Sequence, residues 1–164
     1  MTRFASFKQI QRLLIGHGAL LIFFAGTIGF GFLFFLNGEI SLWPIPGRLA
    51  VKLPGSIKAW RMAHLEGVIN GLILWLMALL LPLLPFALRG ARRIAVGMII
   101  VGWTFTVASL FDALFPDSRG LAYGGPLTNQ IAFFMFYVGV LIVMGVMASI
   151  AWRTLVGTRN NDLA

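Results

Sequence analysis

The sequence contains no cysteine among its 164 residues. That excludes disulfides, iron–sulfur clusters, thiolate-held haem and a cysteine nucleophile. Acidic side chains are also scarce, with Asp and Glu together numbering 5. Charged residues of both signs make up 11%, well short of the roughly 25% of a water-soluble domain. There is no phosphate-binding glycine loop, no zinc-type ligand spacing and no nucleophile–histidine–acid order. No internal repeat is visible, and nothing resembles the paired broken helices of an inverted-repeat transporter.

What is present is apolar, at 59% of the chain. Four runs, at about 13–36, 63–86, 94–115 and 131–152, are long enough to cross a bilayer, which takes roughly 20 residues as a helix. A lone chain in lipid must satisfy its own backbone hydrogen bonds, which favours helices over strands. The expectation is an all-α membrane protein, with four transmembrane helices in an antiparallel bundle and a single transmembrane domain over 1–164. The first run is too long for a signal-peptide core and lacks a small-residue cleavage site, so no cleavable signal is expected.

The net charge is +8. In a soluble protein that would point to nucleic acid. Here the basic residues sit at the ends of apolar runs, so headgroup contact and topology explain them and no nucleic-acid partner is expected. One side collects Arg3, Lys8, Arg12, Arg89, Arg92, Arg93, Arg153 and Arg159; the other collects Arg48, Lys52, Lys58, Arg61 and Arg119. The excess on the first side predicts both termini in the cytoplasm, as for a multi-pass protein of a bacterial inner membrane. The two long connections, 37–60 and 116–129, then lie outside. The first holds Pro44, Pro46 and Pro54 with Trp43 and Trp60, and reads as a cap at headgroup level. Elaborate loops on one side suggest that function lies there.

Polar and ionisable residues inside a span are costly and mark candidate sites. They are His17, His64, Glu66, Asn70 and Asp112. At about 1.5 Å per residue, His17 lies near the inner end and His64 near the outer end, roughly 20 Å apart. They cannot share one metal within a chain of this topology. His64, Glu66, Asn70, Ser109, Asp112 and Arg119 all fall at the outer level and can border one site. Gly67 and Gly71 share a stripe with His64. They either leave a flat slot for a planar macrocycle or pack helices closely, and spacing alone favours packing. Equally open are His64 as an interfacial anchor, Asp112 as a partner for Arg119, and His17 as a donor to a neighbouring carbonyl.

Several of these residues form a pattern. Gly16-His17-Gly18, Pro54-Gly55-Ser56, Trp60, Ala63-His64, Asn70-Gly71, Leu81-Pro82, Ala91-Arg92, Gly102-Trp103, and Pro116 before Arg119-Gly120-Leu121 and Gly124 follow in order. In them the chain resembles the membrane-bound styrene oxide isomerase family. The resemblance implies a homotrimer binding haem b at subunit interfaces, with His64 as the axial ligand of a ferric iron. It implies conversion of an aryl epoxide to an aldehyde without net redox change. It implies that Asn70 orients substrate or haem, that Ser109 lines the distal side, and that Arg61 or Arg119 pairs with the propionates. Gly67 and Gly71 would flank the macrocycle. Two positions depart from the family: Val101 stands where it has an aspartate, and Ser109 where it has a tyrosine. These departures keep open a haem-binding membrane protein without isomerase activity, serving as a sensor, redox or partner subunit. A scaffold without cofactor is a third reading.

Overall fold

The computed structural model describes residues 3–156. Arg159, counted above among the basic residues, lies outside them, and Arg3 is described by its backbone only. The chain forms α1 (Arg3–Asn37), a two-residue antiparallel ladder of β1 (Glu39–Ile40) with β2 (Leu49–Ala50), then α2 (Ile57–Leu80), α3 (Leu88–Leu114) and α4 (Leu127–Leu155). All four helices are long and apolar enough to cross a membrane. Each outruns the apolar run that announced it at one or both ends, because polar residues of the flanking turns continue the helix into the headgroup level.

The exception is the end of α2. Its apolar run continues to Phe86, but the α-helix stops at Leu80 and a 3-10 turn follows over Leu81–Leu83. Pro82 has no N–H to give to Ala78, four residues back. The Gln11 side chain fills that vacancy, its Nε2 donating to the Ala78 carbonyl at 2.9 Å. A sequence-local defect is thus repaired from α1.

The bundle is open. α1, α2 and α3 pack against one another, whereas α4 rests chiefly on α3. Only Ala132 and Gly139 of α4 are buried. Large apolar side chains such as Phe134, Leu141 and Met144 remain exposed on it, as suits a surface solvated by lipid or by another helix. Two apolar clusters fill the interior. One lies toward the face that carries the termini, around Leu14, Leu21, Leu74, Ala95 and Met98. The other lies toward the face of the long loops, around Ile28, Ala59, Trp60, Ala63 and Ala113. Glu66 and Asn70 sit at the levels between them, whereas His17 lies at the level of the first cluster and His64 and Asp112 at that of the second.

The loop-face cap is built by close approach. Gly55 has φ +97, and a Cβ added there would collide with the Ala113 carbonyl at the end of α3, leaving no room for a side chain. Ser56 then caps α2, its Oγ accepting from Ala59 N at 3.2 Å. Trp60 Nε1 donates to the Pro54 carbonyl at 2.8 Å. Trp60 is therefore a buried packing residue, while Trp43, 94% exposed, has the position of an interfacial anchor. The second loop is stapled by Asn129, which accepts from Gly120 N and donates to the carbonyls of Ala122 and Gly124. That staple sets where Arg119 stands.

Candidate active site on two edges of α2

His64 faces α1. Its Nδ1 lies 2.8 Å from the Ala25 carbonyl. A carbonyl only accepts, so the proton of the neutral ring sits on Nδ1 and the Nε2 lone pair is left free. Gly29, one turn further along α1, makes room: a Cβ there would lie 3.0 Å from Nδ1. Ala25 and Gly29 are the small residues that let the imidazole lie against the helix. Arg61, one turn nearer the loop face, is exposed.

Of the two readings of Gly67 and Gly71, a slot or close packing, the chain by itself shows packing. A Cβ at Gly67 would fall 2.7 Å from that of Ala25, and one at Gly71 would fall 2.7 Å from the Gly18 carbonyl. Both glycines bring α1 and α2 into close packing, so within one chain neither leaves a flat surface for a macrocycle. The physical reason is that the stripe they share with His64 is the stripe on which α1 docks.

The other candidates lie around the helix from His64. Asn70 is buried, and its Nδ2 donates to Glu66 Oε2 at 3.0 Å. Its Cβ sits over Gly102 of α3, where an added Cβ would be 3.6 Å away. Met62, Glu66 and Asn70, four apart, form one row up this edge. At the top of the row a pocket of about 140 Å³ opens between α2, α3, α4 and the second loop. It is lined by Lys58, Met62, Ser109, Asp112, Arg119, Leu121 and Phe136. Ser109 is 6% exposed. Asp112 and Arg119 share this pocket but do not pair directly; the ion pair among the described residues is Arg48 with Glu39, at 3.5 Å on the hairpin. The single outer-level cluster is therefore two clusters. His64 belongs to the α1 edge, and Asn70, Glu66 and Ser109 belong to the α3 edge.

His17 is tied elsewhere. It accepts a hydrogen bond at Nδ1 from Trp103 Nε1 at 3.1 Å, not a bond to a carbonyl. Ala25 and Gly29, which flank His64, lie eight and twelve residues beyond it on α1, about 12–18 Å along the axis. The two histidines are thus held at different levels.

These contacts join residues far apart in the chain. Gly16-His17-Gly18 meets Trp103 and Gly71, and Asn70 meets Gly102. The family model for styrene oxide isomerase matches residues 10–155. The chain belongs to that family. A styrene-oxide isomerase of Pseudomonas fluorescens is 32% identical over 158 residues, covering 91% of this chain and 92% of the relative. For this isomerase-family chain, the structure adds residues that sequence reasoning passed over. Ala25 and Gly29 carry no polar signal, only their spacing of four. The Glu66–Asn70 bond was legible as a polar pair one turn apart, but its direction toward α3 was not.

Proposed function

We propose that the protein is a haem b-dependent membrane isomerase converting an aryl epoxide such as styrene oxide to an aldehyde. Family membership along nearly the whole chain carries the reaction class. The observation that carries the cofactor is His64, with Nδ1 tethered to a backbone carbonyl and Nε2 free, the arrangement typical of a metal-ligating histidine. Among the described residues no three of His, Asp and Glu gather into a metal site, so a group needing one protein ligand fits this donor set. Haem iron held there would supply a Lewis acid for the epoxide oxygen.

The chain's own residues do the rest. Ala25 and Gly29 fix the imidazole plane. Arg61 or Arg119 pairs with the propionate carboxylates, as a guanidinium fork favours. Glu66 holds one N–H of Asn70, which leaves the other N–H and Oδ1 to orient substrate. Ser109 lines the pocket at the head of that row. Met62, Leu121 and Phe136 supply the apolar part of the pocket wall, which would limit the water able to trap a cation as a diol. In the substrate the benzylic C–O bond breaks, a hydride moves to the benzylic carbon, and the C=O bond forms. No oxidant, reductant or net proton is consumed. His64 and the Asn70 row lie on different edges of α2, which supports a site completed between copies, in a homotrimer. The basic excess on the terminus-bearing face supports an inner-membrane protein with both termini cytoplasmic.

A visible spectrum of detergent-purified, haem-replete protein tests this reading. Wild type shows a Soret band and His64→Ala does not; a band unchanged by that substitution would remove the ligand assignment. Styrene oxide then yields phenylacetaldehyde. Val101 and Ser109, in place of the family's aspartate and tyrosine, favour a second reading: haem retained and the isomerase reaction absent. A Soret band without aldehyde would select it.

A further inference from the structure

The terminus-bearing face carries a feature that the reaction does not use. Arg89, Arg92 and Arg93 stand in the first two turns of α3. They line a groove of about 500 Å³ whose remaining wall is apolar, with Val96, Ile100 and Ile142. Arg89, Arg93, Val96 and Ile100 recur at spacings of four, three and four, which is one stripe along the helix. The groove is thus cationic at its mouth and hydrocarbon along its length, and its stripe residues are exposed.

Nothing among the described residues neutralises the mouth. Glu39, Glu66, Asp112 and Asp117 all lie toward the loop face, and the fifth acidic residue, Asp162, lies outside the described residues. None of the three arginines has an ion pair there. The first turn of α3 has no acidic residue and no side-chain cap. Three cations at a helix N-terminus also oppose the helix dipole. Charge complementarity therefore calls for an anion, and the apolar floor calls for one with a hydrocarbon chain.

We propose that this groove binds one anionic phospholipid, its phosphate held by the Arg89–Arg92–Arg93 forks and an acyl chain lying along Val96 and Ile100. A guanidinium engages phosphate oxygens two at a time, which an ammonium does not. A topology signal alone requires only positive charge, so the two roles separate when charge is kept and the fork removed.

Native mass spectrometry of the detergent-purified chain, titrated with phosphatidylglycerol, phosphatidylcholine or glycerol 3-phosphate, reads the proposal without haem or substrate. Phosphatidylglycerol is retained at least about tenfold better than phosphatidylcholine, and glycerol 3-phosphate does not compete. The R89K/R92K/R93K variant keeps every charge and loses about threefold or more of that preference. Equal retention of the two lipids by wild type overturns the proposal. So does a variant with undiminished preference, and so does competition by glycerol 3-phosphate, which would make this a site for soluble anions. The wild-type comparison decides even if the variant fails to insert.

Discussion

The two edges of α2 hold their polar residues by opposite means. On the α1 edge, His64 is oriented by another helix: a backbone carbonyl at Ala25 and the missing side chain at Gly29. On the α3 edge, Asn70 is oriented by its own helix, through Glu66 one turn away. The first arrangement depends on tertiary packing and exposes a single lone pair. The second survives small shifts between helices, because both partners move together. The proposed iron ligand at His64 would need the former kind of rigidity, and the substrate-orienting role proposed for Asn70 would be served by the latter.

Substitutions can break that contrast one edge at a time. The largest effect is expected at Gly29→Leu. A Cβ at 3.0 Å from Nδ1 forces the ring away from Ala25, at a cost of about 1–3 kcal/mol of stability for overpacking. The Soret band is expected to vanish as it does in His64→Ala, although the ligand is still present. A normal spectrum in Gly29→Leu would show that the α1 edge does not orient the imidazole.

On the other edge the spectrum should persist while turnover falls. Glu66→Leu removes one hydrogen bond, net about 0.5–1.5 kcal/mol, so turnover of styrene oxide is expected to fall by about threefold to tenfold. Glu66→Gln keeps an acceptor oxygen at the same reach and is expected to restore most of it. If Leu and Gln behave alike, Glu66 does not position Asn70.

The smallest effect lies away from both edges. Gln11→Ala leaves the Ala78 carbonyl without its substitute donor opposite Pro82. A loss of about 1 kcal/mol is expected in thermal unfolding in detergent, with spectrum and turnover unchanged. A spectral change would mean that the α1–α2 contact acts as one rigid unit down to the His64 level.

Much of this was legible in the sequence, and the reasons can be named. Four spans follow from hydropathy, since length and apolarity are summed along the chain. The level of His64, Asn70 and Ser109 follows from helix rise. The i, i+4 spacing of Glu66 and Asn70 already places them as neighbours. The stop at Leu80 was missed because Leu83, Leu84 and Phe86 continue the apolar run past Pro82. The alternative of a direct Asp112–Arg119 pair is not met among the described residues, although both line one pocket, and the loop next to Arg119 is held by Asn129 instead. For Gly67 and Gly71 the spacing favoured close packing over a slot, and within the chain α1 does pack on that stripe.

The sequence by itself determined that this chain is a four-span membrane protein, that its polar residues other than His17 gather toward one face, and to which family it belongs. Those properties depend on composition, on distance along a helix, and on ordered motifs. Only the tertiary structure decided that His64 turns to α1 while Asn70 and Ser109 turn to α3. Direction around a helix axis is set by which neighbour docks where. In α2, apolar on nearly every side, no amphipathic stripe announces that choice.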